Sequence, residues 1–334
     1  MKNKILIVGG CGFIGHNLAL KLKENNYSVT ISDSLSVNNL NATKDASIKN
    51  QKMYDAILNE RLELLKKNSI NIILENSKNF IEMQKIFDEI KPDKIIHLAA
   101  VSHANKSNKD PHHTYENSIV TLESSLEGAR KNNSHLIFLS SSMVYGEFPP
   151  SGVIESSPCN PIGIYGNLKY AAETMIKSYN QVFDMPFTII RPSALYGERC
   201  VSRRVGQIFI ENAIQGNDIV INGDGNDQLD FTYIKDLVDG IERCCSNENA
   251  INQIFNITYG NSRKINDLLD LLKKEFPNVK TKYIENEKFM PKRGTLLNYK
   301  ARDLLNFNPK FTIEEGYIKY INWYKNFWEK FNNE

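Results

Sequence analysis

The 334-residue sequence has no stretch near the roughly 20 consecutive apolar residues that a membrane span requires. The apolar run at residues 5–8 is too short for a secretory signal and passes at once into glycines. Neither sign of charge dominates: 41 Lys and Arg face 39 Asp and Glu, a formal net charge of +2. That balance gives no electrostatic reason to expect nucleic acid or an anionic membrane as partner. Cysteine is sparse and unpatterned. Cys11, Cys159, Cys200, Cys244 and Cys245 form no CxxC and no paired CxxC/HxxH spacing, so neither a disulfide framework nor a metal site is expected. Free thiols of this kind suit the reducing cytoplasm. Internal repeats and low-complexity tracts are also missing.

What is present is a chain with 41% hydrophobic residues, enough to bury a full core. Short apolar runs near residues 5–8, 28–32, 70–74, 94–98, 135–139 and 187–190 read as strands. Helical patterns lie between them, including 114–130 and 165–183. This alternation predicts an α/β protein, a Rossmann-type doubly wound parallel sheet with helices on both faces. After Pro192 the rhythm changes to short strands (219–221, 231–234, 254–257) mixed with helices such as 235–245. Residues 1–190 therefore read as the cofactor-binding part, with some later segments returning to it. Residues 191–334 read mainly as a smaller mixed α/β lobe over the carboxyl edge of the sheet, where such folds bind ligands. The C-terminal aromatics Tyr317, Trp323, Phe327 and Trp328 read as core.

The first strand is followed by Gly9-Gly10-Cys11-Gly12-Phe13-Ile14-Gly15, which opens the first helix. Gly9 suits a tight turn, Gly12 a backbone approach to pyrophosphate, and Gly15 close packing of helix on sheet. The helix N-terminus offers unpaired N–H groups to the phosphates. The competing reading is a structural turn with an unrelated surface aspartate. Asp33, at the end of the second strand, favours the cofactor: its carboxylate can hold ribose hydroxyls and would repel a 2′-phosphate. No Arg follows in Ser34-Leu35-Ser36, so NAD is expected over NADP.

Tyr165 and Lys169 stand four apart on a predicted helix and so share a face. By itself that pair is also what an ordinary solvated helix shows. The segment Ser140-Ser141-Ser142-Met143-Val144-Tyr145-Gly146 adds weight, because it carries hydroxyls to the sheet edge right after the fifth strand. A phenol with a pKa near 10 is a poor base at neutral pH. A neighbouring ammonium and the positive nicotinamide ring would stabilise the phenolate, letting Tyr165 take a proton from a sugar hydroxyl while Ser141 hydrogen-bonds the same oxygen.

With GGCGFIG, HLAA (97–100), SSSMVYG, YGNLK (165–169), RPSALYG (191–197), GDGNDQLDFTYIKD (223–236) and KARDLLNFNP (300–309), the whole chain resembles the extended short-chain dehydrogenase/reductases, specifically the NAD-dependent nucleotide-sugar epimerases and dehydratases. The resemblance implies Ser141, Tyr165 and Lys169 as the catalytic trio. It implies cofactor contacts from Gly9, Gly12, Phe13, Ile14, Gly15, Asp33, Ser34, Asn76, Leu98, Ala99, Ala100, Tyr165, Lys169 and Pro192. Substrate contacts are expected from Ser142, Met143, Ala194, Arg204 and Arg293, with a nucleotide-diphosphate sugar as substrate. A homodimer, or a larger assembly containing one, is implied through helices 114–130 and 165–183.

Several positions depart from the family's pattern. Dehydratases of the group carry an Asp-Glu pair where this chain has Ser142 and Met143. Neither can protonate a leaving hydroxyl or remove a C5 proton, which argues against 4,6-dehydration. His103 is the one candidate substitute. Ala194 stands where many relatives have an Asn, and Leu229 where many have an Arg. Arg203 and Arg204 either compensate for the lost Arg or are surface residues. The segment from Tyr54-Asp55 to Arg61-Leu62 bears a faint likeness to an insertion in uronate-sugar 4-epimerases, though any amphipathic helix would look similar. Three functions compete: a C4 epimerase working through a 4-keto sugar, a net C4 dehydrogenase, and a non-catalytic NAD-binding protein, which the intact trio disfavours.

Overall fold

The computed structural model describes residues 3–41, 50–101, 104–285 and 291–333. Seven parallel strands form the central sheet. They are β1 (Lys4–Val8), β2 (Ser28–Asp33), β3 (Asn71–Leu74), β4 (Lys94–His97), β5 (His135–Leu139), β6 (Phe187–Arg191) and a seventh, Gln253–Asn256, from the C-terminal third. Their order across the sheet runs Gln253–Asn256, β6, β5, β4, β1, β2, β3. The chain steps outward from β1 through β2 to β3, then returns to lay β4 on the other side of β1. That reversal opens a crevice at the carboxyl ends of β1 and β4, the place where open α/β sheets bind ligands.

Strand alternation feeds two cores. Ile5 and Ile7 point into one apolar layer with Ile31, Ile96, Ile137 and Ile190. Leu6 and Val8 point into the other with Ile95, Leu136, Phe138 and Ile189. All of these are buried, as the period-two geometry of a strand covered on both faces requires. The first layer is closed by α1 (Phe13–Glu24), α2 (Gln51–Lys67) and the C-terminal lobe. The second is closed by α3 (Phe80–Ile90) and the helices Thr121–Asn132 and Gly163–Phe183.

Two elements differ from their sequence patterns. The expected helix over 114–130 is three pieces: Pro111–Tyr115, a π-helical turn Glu116–Val120, and Thr121–Asn132. Asp110 sets the start, its Oδ1 accepting the His113 N–H at 3.0 Å with Pro111 at the first helical position. The expected strand 231–234 shrinks to Thr232–Tyr233, because Ile234 already begins the helix Ile234–Ser246. The C-terminal aromatics are core: Tyr317 is fully buried, and Trp323, Phe327 and Trp328 pack against the first apolar layer. All five cysteines are free. Among the described residues, no helix is long and apolar enough to cross a membrane, and no cluster of metal-ligating side chains occurs.

Candidate active site

The crevice begins at the glycine turn. Gly9 has φ +83°, and a Cβ there would lie 2.7 Å from the Ala99 nitrogen, so only glycine lets the turn pass so close to the end of β4. At Gly15 a Cβ would strike the Gly10 backbone at 2.5 Å, which fixes how near α1 approaches the sheet. In front of Gly12, where the only protein atom near a Cβ is the Gly9 oxygen at 3.4 Å, the backbone borders open space. Gly9, Gly12, Phe13, Ile14, Gly15, Asp33, Ser34, Asn76, Leu98, Ala99 and Ala100 all line this first cavity.

Asp33 is half-buried. Its Oδ2 accepts the Cys11 N–H at 2.8 Å and its Oδ1 the Leu35 N–H at 2.7 Å. Burial raises its pKa, while these two N–H groups and the Arg61 guanidinium oppose the rise. Each carboxylate oxygen keeps a further acceptor direction for ribose hydroxyls.

A second cavity, about 630 Å³, shares Ile14, Leu98, Ala100, Leu195 and Arg204 with the first. Its floor carries Ser141, Tyr165 and Lys169, together with Pro192; its walls include Ser142, Met143, Ala194, Arg204 and Arg293. Ser141 caps the short turn Ser142–Tyr145. Its Oγ accepts the Met143 N–H at 3.2 Å, which leaves its hydrogen to donate elsewhere. Tyr165 enters from the first turn of Gly163–Phe183, and Lys169 from the turn after.

The Lys169 ammonium turns back to the sheet edge, where Nζ donates to the Leu139 carbonyl at 2.6 Å and lies 4.6 Å over the Phe138 ring. Burial raises the Tyr165 pKa, and the groups that oppose this are the Ser141 hydroxyl and the Arg204 guanidinium. Sharing a helix face brought Lys169 near Tyr165 in sequence, but its long side chain finds a carbonyl partner first. Burial lowers the Lys169 pKa to about 7 against the opposing field of Glu173, one turn further on. Glu173 is itself held in a buried pair with Arg191, Nη2 to Oε2 at 2.6 Å, and accepts the Ser140 hydroxyl at 2.5 Å. Helix, β6 and the Ser140–Tyr145 segment are thereby locked together beneath the trio.

Across the cavity Arg204 and Arg293 repel each other. Burial first, then Arg204, pulls the Arg293 pKa down to about 10, with Asp227 opposing. Two guanidinium groups facing one space form an anion-seeking wall. Ser142 and Met143, both buried, present only a hydroxyl and a thioether to the cavity. Ala194 holds φ +27°, an uncommon conformation for a residue with a Cβ. Leu229 is buried in the small strand pair Gln228–Leu229 with Arg263–Lys264. His103 lies outside the described residues.

The model of the NAD dependent epimerase/dehydratase family matches residues 5–258. The chain belongs to this family. It is accordingly an NAD-dependent enzyme, and its first cavity has the glycine turn, helix N-terminus and terminal carboxylate that suit that cofactor. A Methanocaldococcus jannaschii protein provisionally named as a UDP-glucose 4-epimerase is 31% identical over 332 residues, covering 96% of this chain and 98% of that one. The dTDP-glucose 4,6-dehydratase of Salmonella typhimurium is 26% identical, covering 96% and 92%. Among solved structures, the UDP-glucuronic acid 4-epimerase of Bacillus cereus in complex with UDP-glucuronic acid and NAD superposes with a TM-score of 0.87. It is 26% identical over 97% of this chain and 99% of that one. Epimerases and a dehydratase thus match to similar degrees, so overall likeness does not choose the reaction within the family.

Sequence reasoning passed over several lining residues. Asn117, Thr121 and Ser202 border the first cavity, and Asp227, Gln228, Phe231 and Tyr320 the second. Asp227, Gln228 and Phe231 lie within the 223–236 motif but were not singled out in it, while Asn117, Thr121, Ser202 and Tyr320 come from segments that carry no motif, and only chain folding brings them to the crevice. Arg61 also borders the first cavity. In the sequence it stood out only as part of the segment from Tyr54-Asp55 to Arg61-Leu62, with its faint likeness to an insertion in uronate-sugar 4-epimerases.

Proposed function

We propose that the chain is a nucleotide-sugar 4-epimerase that works through a 4-keto species. The observation that carries the reading is that Ser141 and Tyr165 line, together with Arg204 and Arg293, a cavity that adjoins the cofactor crevice through Ile14, Leu98, Ala100, Leu195 and Arg204. NAD, when bound, would supply a reversible two-electron acceptor, taking hydride from C4 and giving it back to the other face, so that the overall reaction is redox-neutral. Tyr165 takes the proton of the C4 hydroxyl and returns it once the keto sugar has presented its other face. Ser141 gives its one hydrogen to the Tyr165 phenol in the free protein and can turn it to the same sugar oxygen once substrate is bound. Ser141 and Arg204 stabilise the phenolate against the burial that opposes it. Lys169, anchored on the Leu139 carbonyl, holds the nicotinamide ribose on this reading. Arg204 and Arg293 receive the diphosphate, and Ser142, Met143 and Ala194 face the sugar.

Residues 1–190, with the returning strand Gln253–Asn256, form the cofactor half on this reading, and the remaining C-terminal segments form most of the sugar lobe. The same reading makes the protein a cytoplasmic homodimer. Its support is the family membership, the named epimerase relatives, and the lack of any carboxylic side chain at Ser142 and Met143.

Incubation with a panel of nucleotide sugars, followed by product mass and stereochemistry, tests the proposal. The expected product has the substrate's mass and inverted C4. A product lighter by one water would return the chain to the dehydratases. One lighter by two hydrogens, with matching growth of NADH absorbance, would make it a net dehydrogenase.

A further inference from the structure

Arg61 lies on α2, in a segment that has no role in the chemistry above. Its residue is fully buried, an unusual place for a guanidinium. Two of its nitrogens are accounted for: Nε donates to the Arg199 carbonyl at 3.0 Å, and Nη2 donates to the same oxygen. The third, Nη1, is buried with no hydrogen-bond partner among the described residues. Arg61 borders the cofactor cavity together with Gly12, Phe13 and Asp33. Its field reaches Cys11 in the glycine turn and His16 in the first turns of α1. Cys200 and Tyr320 act on it more strongly than Asp33, the one carboxylate among these neighbours, which is already engaged with two backbone N–H groups, while Arg199 adds a like charge. Burial therefore outweighs the available counter-charge and lowers the Arg61 pKa to about 10. A buried, charged donor left unmade is costly, and native proteins keep few of them. The missing partner should be an anion beside the phosphate turn.

We infer that Arg61 is a ligand of the NAD pyrophosphate, its Nη1 donating to a phosphate oxygen across the crevice from the N-terminus of α1. A guanidinium suits this task, since its fork can hold a carbonyl on one edge and a phosphate on another. The arrangement has a consequence for the second cavity. The Arg199 carbonyl belongs to the turn that leads to Arg203 and Arg204, and Arg199 and Arg203 both have positive φ, +63° and +52°. One side chain thus ties the cofactor phosphates to the segment bearing the guanidinium that acts on Tyr165. The inference rests on NAD as cofactor and is independent of which sugar is turned over.

The test is binding rather than turnover. Arg61→Met keeps bulk and removes the donor. Titration of the folded variant with NAD, ADP-ribose and adenosine, followed by calorimetry, should show the first two weakened roughly 10-fold or more and adenosine within about twofold of wild type. Unchanged NAD affinity would overturn the inference. So would an equal loss for all three ligands, which would make Arg61 a clamp for Arg199 alone. Should Arg61→Met fail to fold, the crystal structure of the wild-type protein with NAD decides instead. Nη1 within hydrogen-bond distance of a pyrophosphate oxygen, at most about 3.2 Å, upholds the assignment, and a pyrophosphate beyond its reach removes it.

Discussion

At the scale of single residues, the proposed chemistry rests on a phenol that its burial makes harder to ionise, offset by one hydroxyl and one guanidinium. Tyr165→Phe keeps the ring and removes the proton carrier. Its turnover should fall by roughly 10²-fold or more while NAD still binds, as measured by steady-state kinetics and cofactor titration. A near wild-type rate would show the proton carrier to be another group. Lys169 gives a second prediction through linkage. Burial lowers its pKa from 10.5 to about 7, so the fold carries the strain of a buried ammonium in full below pH 7. Between about pH 7 and 10.5 the unfolded chain holds a proton that the folded one does not, and that contribution to stability rises with pH. Lys169→Met removes it. Urea midpoints should therefore favour the variant most, relative to wild type, at or below pH 7, and the advantage should shrink towards pH 10. A difference that grows with pH would contradict the assignment. The sequence named Tyr165, Lys169 and Ser141 because their spacing and hydroxyl chemistry are local.

At the scale of elements, the helix Gly163–Phe183 and the turn Ser142–Tyr145 form the hinge of the site. Gly166 lies where they touch, and a Cβ there would sit 2.8 Å from the Met143 carbonyl oxygen and 3.2 Å from Pro161 Cβ. Gly166→Ala must push the helix off the turn. It should cost about 1–3 kcal/mol of stability in urea unfolding, the usual range for overpacking, and reduce turnover by moving Tyr165 relative to Ser141. Wild-type stability and rate together would mean that the contact yields freely. The strands of the sheet were legible almost to the residue, since each is a short apolar run bounded by polar turns. The helix near 114–130 was legible as helical but not as interrupted. Its π turn at Glu116–Val120 leaves the apolar pattern nearly unchanged, so periodicity has little to detect.

At the scale of the whole molecule, the helices on one face of the sheet leave large apolar side chains in the open. Val182 is 70% exposed and Phe183 49%, with Tyr115 and Ile164 on the neighbouring helical segments also exposed. A homodimer through this face is the expected solution state. Light scattering at micromolar concentration should return twice the 38.2 kDa chain mass, and a monomer mass would contradict it. Substituting Val182 and Phe183 by Asp should shift a dimer of this kind towards monomer.

What the sequence determined by itself is whatever depends on neighbours along the chain. The glycine turn between a strand and a helix, the carboxylate at the end of β2, the alternation that makes both sheet faces apolar, and the lack of an acid/base pair after Ser141 are all of that sort. Tertiary structure alone decided which distant groups meet. It put Arg204 in the field of Tyr165, returned Gln253–Asn256 to the sheet edge, and buried Arg61 against the Arg199 carbonyl, 138 residues away, with one nitrogen unmatched among the described residues. Such pairings follow from chain topology and from the demand of a buried charge for a partner, and a one-dimensional pattern encodes neither.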